Sequence, residues 1–108
     1  MPNPSRSTIV YVAGPYRSDT ESGLIDNIRH AEKYARKYWQ LGYTVICPHL
    51  NTAHFGGLCD DEAFLEGTME MLRRCDVVVM IPGWGVSRGS IAERDTAVRL
   101  GLEVIYEG

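Results

Sequence analysis

Hydrophobic and polar positions along this chain follow two alternating periods. Residues 8–13, Thr-Ile-Val-Tyr-Val-Ala, are β-branched and apolar on both faces, as expected of a strand buried inside a parallel sheet. Gly14-Pro15 ends that run. The period then changes: Ile25, Ile28, Ala31, Ala35, Tyr38 and Trp39 recur at helical spacing, and Gly42 follows as a C-terminal cap, which predicts a helix over 25–41. The strand-then-helix unit repeats. Residues 43–47 read as a second strand closed by Pro48, and residues 60–74 as a helix with Phe64, Met71 and Leu72 inward and Asp60 or Asp61 as its N-cap. The most apolar run of the chain, Asp76-Val-Val-Val-Met-Ile81, is predicted to be a central strand stopped by Pro82-Gly83. A third helix over about 90–100 and a last strand over 102–106 complete the series.

Strands alternating with helices imply parallel crossovers and helices on both faces of an open sheet. The expected fold is therefore α/β, a doubly wound parallel sheet of about four strands. In such sheets ligands bind beyond the carboxyl ends of the strands, near the reversal of strand order. That singles out the loops after Ala13, Cys47 and Ile81.

Composition narrows the class. At 108 residues the chain is within the usual size of one domain, about 100–150 residues, and residues 1–108 are expected to form a single one. A hydrophobic share of 44% and a charged share of 23% are those of a globular protein, with no sign of disorder or membrane insertion. A formal net charge of −3 disfavours a nucleic-acid surface, which needs clustered Lys and Arg. The one basic group, Arg29, Lys33, Arg36 and Lys37, reads as the solvated face of the first helix. Cys47, Cys59 and Cys75 are odd in number, widely spaced and lack a C-x-x-C pair, which fits a reduced cytoplasm. The start of the chain, Met1 to Ser7, is polar and proline-bearing and does not read as a signal peptide.

Three loops hold candidate chemistry. Gly14-Pro15-Tyr16-Arg17-Ser18 combines a glycine, which lets the backbone approach a ligand, with hydroxyl and guanidinium donors; Arg17 suits a phosphate or carboxylate, although the stretch equally reads as a turn that ends a strand. The stretch from Pro82 to Ser90 is glycine-rich and runs into a helix N-terminus, a natural anion site. It has neither the Lys of a P-loop nor the G-x-G-x-x-G spacing, so triphosphate and dinucleotide readings fail. Trp84 either stacks on a base or covers the core edge. Ser90-Ile-Ala-Glu93 matches a capping box, which accounts for Glu93 without catalysis. His49, His54 and Cys59 lie in the loop after the second strand, but without a recognised ligand spacing; an ordinary or substrate-covering loop is expected there and no metal. His30 reads as a surface residue of the first helix.

Taken together, Gly14-Pro15-Tyr16, Cys75-Asp76-Val-Val-Val and Ser87-x-Gly89-x-x-x-Glu93 resemble the nucleoside 2-deoxyribosyltransferase superfamily over nearly the whole chain. The resemblance implies a flavodoxin-like fold and cleavage of an N-glycosidic bond by hydrolysis or transfer, with no cofactor. It places Glu93 as nucleophile and Tyr16 as the hydroxyl that orients it. Ser87 falls where hydrolases of the group contact a 5′-phosphate, which with Arg17 and Ser18 favours a nucleotide over a nucleoside. The pocket would also include Gly14, Pro15, Trp84, Gly89 and Ser90. The family's Asp on the second helix is replaced here by Thr68, which leaves Asp61 or Glu66 as general acid, with Asp61 preferred for its place near the strand ends. Related enzymes complete their pockets with a neighbouring subunit, so a homodimer or higher homo-oligomer is expected. Two alternatives stay open. One is a non-enzymatic nucleotide-binding module that uses the same loops. The other is a phosphoribohydrolase of the lysine-decarboxylase-like type, whose P-G-G-x-G-T-x-x-E run is partly matched by Pro82-Gly83-Trp84-Gly85.

Overall fold

The computed structural model describes residues 3–108; Met1 and Pro2 lie outside the described residues. The elements follow the order β1 (Ile9–Ala13), α1 (Glu21–Leu41), β2 (Thr44–Ile46), α2 (Pro48–Asn51), α3 (Asp61–Arg73), β3 (Val77–Met80), α4 (Arg88–Arg99) and β4 (Glu103–Tyr106), with a 3₁₀ turn at Trp84–Val86 before α4. The four strands form one parallel sheet in the order β2-β1-β3-β4. This is the doubly wound, flavodoxin-like arrangement, with the strand order reversing between β1 and β3.

Successive residues of a strand point to opposite faces, and the core divides accordingly. On one face Val10, Val12, Val77, Val79 and Ile81 meet Ala31, Ala35 and Tyr38 of α1. On the other, Tyr11, Ala13, Val78 and Met80 meet Leu72 of α3 and Ala97 of α4. The middle strands are buried on both sides, which is why their sequences are continuous apolar runs. Asp76 extends the sheet by one rung: its Oδ2 accepts from the Ile9 amide at 2.8 Å.

Boundaries differ from the sequence expectation in identifiable ways. α1 begins at Glu21 rather than near Ile25, because Thr20 caps it by accepting from the Gly23 amide, and its first turn is too polar to show periodicity. Asp60, not Asp61, caps α3. The four-residue α2 is too short to leave a periodic trace; Pro48 at its first position fits a helix start, where no amide donor is missed. Among the described residues no helix is long and apolar enough to cross a membrane.

Candidate functional site

The loops after β1 and β3 pack on one another at the point where strand order reverses. Gly14 is needed there, since a Cβ on it would lie 2.3 Å from Ile81 Cγ1. Gly83 has φ +93°, a conformation that favours glycine, and faces the Pro15 ring. Glu93 lies on α4, the helix that follows the second of these loops.

The capping-box expectation for Ser90 and Glu93 is corrected by the structure. α4 starts at Arg88, two residues earlier than expected, with Ser87 as its cap: the Ser87 backbone is extended and its Oγ accepts from the Ser90 amide at 3.2 Å and from the Ser90 hydroxyl at 3.0 Å. Ser90 is therefore inside the helix and buried. Glu93, a turn further along, is half-buried and points at the sheet, where its Oε2 accepts a hydrogen bond from the Tyr11 phenol.

The hydroxyl that meets Glu93 is not the one expected. It comes from Tyr11, in the middle of β1, and not from Tyr16, which is exposed and sets its ring edge-on to His49 at 5.6 Å. A buried phenol needs a partner, and here the partner is Glu93. Burial pushes the Glu93 carboxyl up to about 7, with the Tyr11 hydrogen bond acting in the opposite direction. Burial and the nearby Glu93 charge push the Tyr11 phenol well above its ordinary value, so it remains a donor. Among the described residues no cation is paired with Glu93. Thr68 reaches the Tyr11 phenol from α3 and gives its own hydroxyl proton to Leu65 O at 2.9 Å.

The other expected residues fall into two groups. Arg17 and Asp61 come together at the rim, with Nη2 to Oδ2 at 3.1 Å, tying the loop after β1 to the start of α3; both side chains are largely in solvent. Ser18 lies at the foot of α1, with its Oγ accepting from the Thr20 amide at 3.3 Å. Gly89 sits in the first turn of α4 in open space. Trp84 has its ring already engaged, with Arg94 over it at 4.9 Å and Tyr106 at 5.5 Å, and packs on the Tyr11 side of the core. That geometry matches the core-covering role rather than base stacking.

Two histidines have contacts that the sequence did not suggest. His30 is not a free surface residue: its Nε2 lies 2.9 Å from the Pro82 carbonyl. His49 is buried with Nε2 2.9 Å from the Pro15 carbonyl. Among the described residues no three His, Cys, Asp or Glu side chains are grouped as ligands for a metal. A groove of about 770 Å³ is found elsewhere, along the β2 edge between α1 and α2, and does not include Glu93. The site is thus defined by chemistry rather than by volume.

The family model described as "Domain of unknown function (DUF4406)" matches residues 8–106, and the chain belongs to this family. A search of curated proteins finds no match. Among solved structures, the "2-desoxiribosyltransferase from Leishmania mexicana" is similar with a TM-score of 0.56 and 19% identity, over 92% of this chain and 63% of that one. The chain thus spans less than two thirds of that structure's length, and what the two share is the fold. This chain has a nucleoside 2-deoxyribosyltransferase-like fold.

Proposed function

We propose that this protein cleaves the N-glycosidic bond of a nucleotide or deoxynucleoside, by hydrolysis or by transfer, with Glu93 as nucleophile. The observation that carries the reading is the Glu93 carboxylate itself: half-buried, hydrogen-bonded by one buried phenol, unaccompanied by a cation among the described residues and pushed up to about 7 by burial. Perturbed carboxylates of this kind concentrate at functional sites. A carboxylate that only capped a helix would have its partner in that helix, whereas this one is directed across to the sheet.

In this reading the ionised carboxylate attacks C1′ as the bond to the base nitrogen breaks through an oxocarbenium-like state. The base leaves with the bonding electrons and takes up a proton. Water, or a second base, then attacks C1′ and releases Glu93. Tyr11 holds one carboxylate oxygen and so fixes the direction of the other. The Ser87 hydroxyl proton, the Arg17 guanidinium and Ser18 are the groups proposed to meet a 5′-phosphate, beside the backbone of Gly14, Pro15 and Gly89. Asp61 remains the proposed acid for the leaving base, but to serve it must leave its pair with Arg17. A homodimer or higher oligomer is proposed to complete the pocket, in one domain and in a reduced compartment such as the cytoplasm, where Cys47, Cys59 and Cys75 stay free.

A second reading is favoured by Thr68. It sets a hydroxyl, not a carboxyl, beside Tyr11, which suits a nucleotide-binding module without turnover. One experiment separates the two. The purified protein is incubated with deoxy- and ribonucleosides and their monophosphates, free base is measured by chromatography, and Glu93→Gln is run in parallel. Base release that disappears in the variant supports the enzyme; binding without release from any substrate supports the module.

A further inference from the structure

The loops after β1 and β3 meet at the ends of their strands, and each is held from behind by side chains directed at its carbonyl oxygens. His49, from α2, bonds through Nε2 to Pro15 O at 2.9 Å. Asn27, from α1, donates through Nδ2 to Tyr16 O at 3.0 Å and to Arg17 O at 3.4 Å. One turn further along α1, His30 bonds through Nε2 to Pro82 O at 2.9 Å in the other loop. Residues three apart share a helix face, so α1 grips both loops with one side. The loops also touch each other directly, at Gly83 and Pro15.

We propose that Asn27, His30 and His49 are positioning residues, a clamp that fixes how the two loops lie against one another at the strand ends, where the proposed ligand would bind. The chemistry of the bonds is specific. A carbonyl oxygen only accepts, so each histidine must carry its proton on Nε2. In His49 this leaves Nδ1 as a bare acceptor, and that atom is buried without a hydrogen-bond partner. Burial lowers the His49 pKa, which favours the neutral ring that the clamp uses. The imidazole thus meets the backbone of the loop after β1, at Pro15 O and beside Gly14, and its ring edge against Tyr16 supports the same loop. A purely packing residue would not need a nitrogen there.

The clamp rests on the geometry; its effect on catalysis rests on the glycosidic reading. The test therefore has two arms, both on the 108-residue chain. The variants are His49→Phe, His30→Phe and Asn27→Leu, which keep bulk and remove the donor, beside His49→Gln and His30→Gln, whose amide nitrogen reaches the Nε2 position. The first arm is amide hydrogen exchange at residues 16–18 and 83–85. Loss of a donor is expected to speed exchange about tenfold in the loop it holds, residues 16–18 for His49 and Asn27 and residues 83–85 for His30, and Gln is expected to restore it. The second arm is base release from deoxynucleoside monophosphates, where KM should rise about tenfold in the donor-less variants with kcat within about threefold. Unchanged exchange in the donor-less variants, or Gln variants as impaired as Phe, overturns the clamp. If His49→Phe fails to fold, the half-buried His30 and Asn27 decide the matter by the same exchange measurement. A wild type that releases no base overturns the glycosidic reading, and the exchange arm still decides for or against the clamp by itself.

Discussion

Two tyrosines in this protein each donate a hydrogen bond to a glutamate, and the two carboxylates shift in opposite directions. Just after β4, Glu107 accepts from the Tyr38 phenol and also from Lys37, whose Nζ lies 2.8 Å and 3.0 Å from its two oxygens. The Lys37 and Tyr38 hydrogen bonds hold that carboxyl below the usual carboxylate range. Across the sheet, Glu93 accepts from the Tyr11 phenol with no cation beside it among the described residues, and burial takes it up to about 7. Since the phenol is common to both, the difference lies in burial and in the ammonium that only Glu107 has. With a lysine the pair is a staple that fastens the end of the chain to α1. Without one, burial prevails and the proposed nucleophile changes charge state near neutral pH.

The largest test of this contrast is on turnover. Glu93→Gln is expected to lower base release by on the order of 10³-fold or more, since it removes the proposed nucleophile. Glu107→Gln should leave release within about twofold. Chromatographic rates decide between them, and equal losses in the two variants would break the distinction.

Stability should separate the pairs by sign. The folded-state pKa of Glu93 lies above its ordinary 4.5, so the stability that its neutral form contributes is complete below 4.5 and is lost as pH rises through about 7. Glutamine has nothing to lose there. Going from pH 4.5 to pH 8, Glu93→Gln should gain on wild type by on the order of 2 kcal/mol. Glu107 has a depressed pKa, so its contribution is present at neutral pH and lost as the medium becomes acid. Glu107→Gln should therefore cost about 1 kcal/mol at pH 7 and less in acid. Urea melts across this pH range measure both, and parallel pH profiles for the two variants would contradict the assignment. A trade-off follows for the proposed enzyme: raising the pH ionises the nucleophile and at the same time loosens the fold.

A smaller effect should come from Tyr11→Phe. The ring stays, but the one hydrogen bond that lowers the Glu93 pKa goes. The ascending limb of the pH–rate profile, set by ionised Glu93, is expected to move to higher pH, with the rate at pH 7 falling about tenfold. A profile that loses height without moving would mean that Tyr11 acts on something other than Glu93.

How these residues reveal themselves in the sequence depends on how far apart the partners lie. The strands were legible because β1 and β3 are buried on both faces and must be apolar throughout, with Gly-Pro or Pro-Gly marking each stop. Glu93 is singled out by the resemblance of Ser87-x-Gly89-x-x-x-Glu93 to the deoxyribosyltransferase pattern, since the residues alone read equally as a helix cap. Tyr11, the hydrogen-bond partner of Glu93, is concealed within an apolar run, where a phenol passes for a core side chain, whereas Tyr16 stands in a loop beside the motif glycine. His30 and His49 bond to carbonyls 52 and 34 residues away, a relation that leaves no local pattern. The match of Ser90 and Glu93 to a capping box was a local pattern that a better-placed cap displaced, since Ser87 stands three residues earlier with an extended backbone.

That cap gives the smallest expected effect and the most selective one. Ser87→Ala removes the oxygen that accepts from the Ser90 amide and hydroxyl, so urea melts should show a loss of about 1 kcal/mol. Glu93 is a turn and a half further along α4, held by Tyr11 rather than by the cap, so its pH–rate limb should stay in place. The Glu107 pair, on the opposite face, should also be untouched. The hydroxyl proton of Ser87 is proposed to serve a 5′-phosphate as well, so KM for a deoxynucleoside monophosphate should rise while KM for the matching nucleoside does not. If both KM values rise together, Ser87 acts through the position of α4 alone, and the preference for a phosphorylated substrate has to rest on Arg17 and Ser18.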